Sequence, residues 1–559
     1  MKLRPAQPIE LTLSSSEEPT IKSLDHLGLV AAAIEGLRLV ERIDKRLPLD
    51  EDKGVEVTHG QRVKAMIING LGYTRSPLYL TPDFYAGVDV ERLLGKGVKS
   101  EFFNEYALGR TLDALFAYGT TRLFCEIAFE IAKERGLLGS TAHLDTTTLL
   151  LWGEYAEAEE LAQQPGMESI PMPNYGHSKA RRPDLKQVVM SLVVTGPSSM
   201  PVMFEALSGN NSDKTSFHNS IAQFKAFNKA VQSTDSFLWV ADSAFYNKGE
   251  LKNTTIRWLT RAPQTLNKVK ELIQQQDEKL TWVPLDKGYK AVLYKEEVTG
   301  EVWALISSEQ AYKKELITFN KRLNKVKEKA EKSLKELSAE VFACEKDALK
   351  AGKKWASTLK YHSVSFTVDA FARYNKRGKP AKNAIPARVE YKLNGNISDD
   401  QVKQAAAQHQ LGRFVLATND IEETGLSAKS MLKAYKEQQN VERGFGFVKS
   451  GEFHLDNIYL KKPSRIDALM MVMTLTLMVY NTSEYHMREE LKEKQLKVPN
   501  QKRKQTDRPT LRWVFQLMQG IHSFTLLESK SCITGKTELK EKIIRLFGPI
   551  ACSIYDIKA

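Results

Sequence analysis

The sequence predicts an α/β chain whose mixed sheet is preceded by an all-helical N-terminal region and interrupted by a large α+β insertion. Three observations carry that expectation. Apolar residues recur at helical spacing through 21–138, strand-like runs take over across 139–264, and a strand signal returns at 413–418 after a long charged interruption. At 559 residues the chain exceeds what one compact core organises, so several domains are expected.

Residues 1–20 are polar and read as a loose lead-in. In the helical region, Thr58-His-Gly-Gln61 fits a capping box, and Val63, Met66, Ile67 and Leu71 follow at helical spacing. A second long helix is expected over 112–135, with Leu115, Phe116, Phe124, Ile127 and Ile131 as its apolar stripe. Such a helical unit serves either DNA-end recognition, the favoured reading, or packing and dimerisation; no sharp helix-turn-helix pattern decides between them.

The core begins at 139. Strand-like runs fall at 141–148, 185–194, 201–206, 237–241 and 256–260. A helix over 213–231, with Phe217, Ile221, Phe224 and Phe227 on one face, precedes the fourth run, and a shorter one over 247–253 precedes the fifth. Three antiparallel strands followed by parallel crossovers make a mixed sheet of the ribonuclease-H type, in which the first and fourth strands are neighbours.

The insertion spans 265–410. It has strand-like segments at 282–285, 290–294 and 302–306, a highly charged helical stretch over 309–361, and further strand-like segments at 363–371 and 388–393. Alternating-sign charge reads first as a solvated helical hairpin, with a DNA-gripping arm or a dimer contact as alternatives. The core resumes over 411–485 with a strand at 413–418, a helix bearing Glu442, and a buried helix capped near Ser464. The apolar run 468–480 is 13 residues long, short of the roughly 20 that span a bilayer, so no membrane partner is expected. Residues 486–559 form a basic C-terminal region in which Lys502-Arg-Lys504 is either a phosphate contact or merely solvated.

Lys and Arg total 81 against 68 Asp and Glu, a formal charge of +13 that suits a polyanion partner or simple solubility. Four scattered cysteines form no C-x-x-C pair, which argues against a disulfide framework or structural zinc and for a reducing cytoplasm. The N-terminus has no apolar leader. No G-x-S-x-G turn is present for a serine hydrolase, and no P-loop for ATP. Trp258, Trp282 and Trp303 are read as core packing rather than base-stacking platforms.

Three carboxylates stand out. Asp145 lies inside an apolar strand, between Leu144 and three threonines, and Asp242 ends the run Phe237-Leu-Trp-Val-Ala. A carboxylate buried in such a run is costly unless it is paired or metal-bound, although either aspartate alone is often a strand-end turn cap. Glu442 follows on a helix where Tyr435, Gln438, Glu442 and Lys449 fall at i, i+3, i+7 and i+14, near one stripe if the helix is continuous. Three acids on separate elements can hold two divalent ions for phosphoryl transfer.

These residues resemble a known family. Tyr435-x2-Gln438-x3-Glu442-x6-Lys449, Tyr175-Gly-His-Ser-Lys-Ala-Arg-Arg-Pro-Asp-Leu-Lys-Gln187 and Val240-Ala-Asp-Ser-Ala-Phe-Tyr246 are similar to blocks of bacterial insertion-sequence DDE transposases. The group is marked by Tyr-x2-Arg-x3-Glu-x6-Lys, and Gln438 here stands in place of the arginine. The resemblance covers about 139–485.

It implies that Asp145, Asp242 and Glu442 bind two Mg²⁺ ions, with Mn²⁺ able to substitute. It implies that Tyr435, Gln438, Arg443 and Lys449 hold the DNA backbone. His177, Lys179, Arg181 and Arg182 lie in a basic loop that either reaches DNA or is simply exposed. Glutamine at 438 gives up a bidentate ionic contact with phosphate. The implied reaction is hydrolysis at the element's terminal inverted repeats, then attack of the freed 3′-hydroxyl on target DNA, by a homodimer in the bacterial cytoplasm. A nuclease on the same fold, or an inactive DNA-binding relic, remain the alternatives.

Overall fold

The computed structural model describes residues 20–49, 57–72, 78–155, 170–177, 182–211, 221–222, 237–246, 256–296, 300–375, 385–420, 427–448, 460–526 and 530–558. The expected helices at 213–231 (apart from 221–222) and at 247–253 lie outside the described residues. The chain divides into two compact units, residues 1–241 with 436–559, and residues 242–435.

The first unit begins with β1 (Thr20–Ser23) and a run of helices. Helix His59–Leu71 starts at the expected capping box: the Thr58 hydroxyl accepts the Gln61 N–H, and the Gln61 side chain accepts the Thr58 N–H. The single helix expected over 112–135 is instead two, Glu105–Tyr118 and Thr120–Glu134. The break is Gly119, whose φ of 99° a side-chain-bearing residue adopts only with strain. Packing explains the break, because Thr120–Glu134 lies on the sheet, where Phe124 meets Phe204 edge to face at 6.0 Å.

Four strands follow: β2 (Thr141–Leu151), β3 (Lys186–Thr195), β4 (Met200–Ser208) and β5 (Leu238–Ala241), in the spatial order β4-β3-β2-β5. β2 is antiparallel to β3, β3 is antiparallel to β4, and β5 is parallel to β2. The strand assignments match the runs expected from sequence to within about three residues at each end. Every residue of β3 is buried, as a strand covered on both faces must be.

The second unit contains β6 (Arg257–Arg261), β7 (Val283–Leu285), β8 (Tyr289–Lys295), β9 (Val302–Ser308), β10 (His362–Arg373), β11 (Arg388–Asp399) and β12 (Arg413–Thr418). Within it β12 pairs antiparallel with both β6 and β9, and β8 and β7 continue outward from β9. Strands expected in the insertion thus pair with β12, a strand expected in the core. The charged stretch is two helices, Glu309–Ala339 and Glu345–Ala356, packed on the β10–β11 hairpin. Phe319, Ala330 and Leu334 turn inward while most of the longer helix is exposed, which agrees with a solvated face.

The chain then returns to the first unit. Helix Pro463–Glu493 packs against Glu105–Tyr118, His59–Leu71, Thr120–Glu134 and β4. It is longer than the apolar run suggested and begins with Pro463 at its first turn rather than with a Ser464 cap. By length and composition it could cross a membrane, yet 83% of its most apolar window is buried inside the protein, as in a core helix. Arg465 holds Asp113 through two hydrogen bonds of 2.8 and 2.6 Å, tying its start to Glu105–Tyr118. The C-terminal region is more than a helical tail: β13 (Val498–Pro499) pairs with β14 (Gln505–Thr506), and β15 (His522–Leu526) pairs with both β16 (Lys530–Thr534) and β1.

Candidate active site

β2 lies between β3 and β5, with its residues alternating between the two faces. His143 and Asp145 share one face, while Leu144 and Thr146 are buried on the other. Asp145 is half-buried, and its Oδ1 accepts the N–H of Thr146 at 2.7 Å. His143 is buried, its Nε2 lies 3.1 Å from the Thr141 hydroxyl, and Glu437 stands 3.9 Å away. Burial pulls the imidazole down to about 4, so His143 is neutral near pH 7. Alternation along β2 was the signal that could have picked it out beside Asp145.

In β5, Val240 is level with His143, and Asp242 follows Val240 by the same two residues that separate Asp145 from His143. Asp242 caps the 3-10 turn Ser243–Phe245, its Oδ1 accepting the Ala244 N–H at 2.9 Å. Its backbone oxygen accepts the Thr260 hydroxyl at 2.6 Å. Just beyond, Tyr246 donates to the buried Glu301 at 2.8 Å, and the Trp303 indole donates to the same carboxylate oxygen at 2.8 Å. Burial and the Glu301 charge push the Tyr246 phenol far up, so it stays a donor. This support for the Asp242 turn was not anticipated, because Glu301 and Trp303 are remote in sequence.

The expected continuous helix through Tyr435, Gln438, Glu442 and Lys449 is divided. Helix Ala428–Glu437 ends before Gln438, and Gln439–Val448 begins after it. Gln438 is buried in the intervening turn, where its backbone oxygen accepts the N–H groups of Val441 and Glu442. A break resets the helical phase, so the spacing does not establish one stripe. Tyr435 is half-buried with its ring 6.1 Å from that of Phe414.

Glu442 lies in the first turn of the second helix, which packs on β2 and β3. Val441, Gly444 and Phe445 are buried, whereas Glu442 and Arg443 are exposed. Among the basic loop residues, His177 is exposed. Arg182 is held by Asp184 at 2.6 Å and lies over the Trp152 ring at 5.0 Å. Lys179, Arg181 and Lys449 lie outside the described residues. Among the described residues, no group of three or more His, Cys, Asp or Glu side chains is gathered closely enough to hold a metal ion.

Comparison with known proteins identifies the family. The family described as Transposase DDE domain matches residues 165–481, more than half of the chain, and a Domain of unknown function (DUF4277) matches residues 19–129. The chain therefore belongs to the Transposase DDE domain family. It is a DNA transposase, an enzyme of DNA cleavage and strand transfer whose domain class works with divalent metal ions. The family match begins after Asp145, so it does not reach that residue. A solved structure, the cryo-EM synaptic complex of piggyBac transposase with hairpin DNA, aligns over 90% of this chain and 82% of that one. It shares 9% identity, with a TM-score of 0.37. No curated protein matches the sequence.

Proposed function

We propose that the protein is an insertion-sequence transposase with a ribonuclease-H-like catalytic core, in which Asp145, Asp242 and Glu442 are the acidic triad. The observation that carries this reading is the pairing of β2 with β5. These parallel neighbours bear Asp145 and lead directly into Asp242, and the helix bearing Glu442 packs on β2.

Carboxylate oxygens suit Mg²⁺. That ion takes one or two carboxylates and completes its shell with water and substrate phosphate, so a preformed cage of three protein ligands is not required. Two bound ions would lower the pKa of the attacking water and stabilise the leaving oxygen on phosphorus. Asp145, Asp242 and Glu442 would hold them.

The chain's own residues supply positioning. Asp242 is fixed by its turn, by the Thr260 hydroxyl and by the Tyr246–Glu301–Trp303 cluster that follows. His143, neutral and buried, adds no positive charge of its own beside Asp145. Arg443, exposed beside Glu442, would meet a phosphate and offset the glutamine at 438, while Tyr435 and Lys449 would hold the DNA backbone. His177, Lys179, Arg181 and Arg182 supply further backbone contacts, Arg182 by exchanging Asp184 for phosphate. The element's terminal inverted repeats and the target are the two DNA substrates, and a homodimer holds both ends together.

The test is a strand-transfer assay on DNA carrying the element's own terminal repeats, with Mg²⁺ or Mn²⁺. Asp145→Asn, Asp242→Asn and Glu442→Gln are each expected to abolish cutting and joining while binding survives. Joining retained in any of the three removes that residue from the triad. Cutting without joining by the unaltered protein replaces strand transfer with a nuclease activity.

A further inference from the structure

Lys502, Arg503 and Lys504 are three consecutive cations that the proposed chemistry does not use. They do not lie in a loose linker. They form the turn between β13 and β14, and Asn500 organises it. The Asn500 Oδ1 accepts the N–H groups of Lys502 and Lys504 at 2.9 and 3.0 Å. The Asn500 N–H donates to the Lys504 carbonyl, and the Arg503 N–H to the Asn500 carbonyl, both at 2.8 Å. At the base Val498 is buried, and the Trp513 indole donates to the Pro499 carbonyl at 2.7 Å. All three cations are exposed, and among the described residues none pairs with an acid. A fixed turn carrying three adjacent like charges repels itself, and a polyanion relieves that repulsion.

The surface continues. Arg508, two residues past β14, lines a cavity of about 940 Å³ together with Lys492, Arg443 and the turn at 197–199. The acids Glu484, Glu489 and Asp507 line it too. Arg488 holds Glu484 at 2.7 Å, and Lys492 stands 4.0 Å from Glu489. Arg443 and Arg508 have no such acid partner among the described residues. Ser198 is 7% exposed, and its Oγ has no hydrogen-bond partner among the described residues, so the cavity wall holds a hydroxyl donor as well as cations.

We propose that the 500–504 turn and the adjoining cavity bind the phosphodiester backbone of duplex DNA, as a contact surface additional to the catalytic carboxylates. The proposal rests on the reading of this chain as an enzyme acting on DNA. Cations and a hydroxyl recognise phosphate, and the turn carries no aromatic side chain on which an unpaired base could stack. The cavity brings the surface to Arg443, next to Glu442, so bound DNA would run toward the catalytic helix.

The test uses the full-length protein and fluorescence anisotropy over a salt series, with one duplex carrying the terminal repeat and one of unrelated sequence. The triple variant Lys502→Gln, Arg503→Asn, Lys504→Gln neutralises the turn, and asparagine tolerates the φ of 58° at position 503. The slope of log affinity against log salt is expected to fall by roughly 2 to 3, at about 0.9 per phosphate contact, with the melting temperature unchanged. Arg508→Gln, a milder change in the cavity, is expected to lower it by about 1.

Loss on both duplexes, on the repeat alone or on the unrelated duplex alone each supports the surface, and the pattern identifies which DNA it holds. Unchanged slopes on both duplexes overturn it. Metal-dependent cutting by the unaltered protein is measured on the same preparation. Cutting with unchanged slopes removes the surface and keeps the transposase. A reduced slope without any cutting does the reverse.

Discussion

Asp467 offers the sharpest physical test of the first unit's core. It sits in the first turns of helix Pro463–Glu493, 7% exposed, where its Oδ1 accepts the Thr120 hydroxyl at 2.9 Å. Burial, reinforced by the charge of Glu205 on β4, pushes its carboxyl up from 3.8 to about 7, and the Thr120 hydrogen bond offsets only part of this. A rise of that size, at about 1.36 kcal/mol per pH unit, amounts to about 4 kcal/mol. Because the folded value lies above the unfolded one, folding favours the protonated form. Stability from this group is complete below about pH 4, is lost as pH rises toward 7, and stays lost above it.

Asp467→Asn keeps the shape and an acceptor for Thr120 but removes the buried charge. The variant is therefore expected to match the unaltered protein near pH 4 and to exceed it by up to about 4 kcal/mol at pH 8. Chemical denaturation across that range measures the difference. His26 and His143, which burial holds neutral down to about 4, titrate in both proteins and cancel. A difference that is flat with pH, or a variant less stable at pH 8, refutes the assignment of a buried, uncompensated carboxylate.

Three further outcomes follow from local geometry. Gly196→Ala places a Cβ 1.8 Å from the Leu137 carbonyl oxygen at a φ of 71°, and is expected to cost at least about 3 kcal/mol in a denaturant melt, with loss of soluble yield. Tyr246→Phe removes a donor to the buried Glu301 and is expected to cost about 2 kcal/mol; adding Glu301→Gln should recover part of that loss in a double-mutant cycle. Thr58→Ala removes the cap of His59–Leu71 and is expected to cost about 1 kcal/mol, read from the same melts.

What the sequence made legible was local. β2, β3, β4, β5, β6 and β12 were readable because each is a short apolar or alternating run bounded by turn residues, and the Thr58 capping box was readable because its four residues form it alone. Breaks in helices were harder. Gly119 carried a signal, since glycine relieves the positive φ that splits 105–134, but a glycine inside a helical pattern is also tolerated. Gln438 carried none: Glu437, Gln438 and Gln439 are all good helix formers, yet the helix breaks at Gln438, which is buried. The pairing of β1 with β15 joins residues some 500 positions apart, which no local pattern encodes.

The same distinction separates the carboxylates from their surroundings. Asp145 and Asp242 stood out because an acid in an apolar strand is anomalous, and that anomaly is a property of neighbours in sequence. Glu437 beside His143 and Glu301 beneath Tyr246 are neighbours only in the fold. Asp242 also shows why a turn cap and a catalytic acid need not be alternatives. Capping engages Oδ1 through one hydrogen bond, whereas a carboxylate has about four acceptor positions over its two oxygens. The cap fixes the direction of the group, and a fixed direction lowers the entropy lost when an ion binds. On the proposed reading of the triad, the structural role that argued against Asp242 as a site residue is then what would orient it for that work.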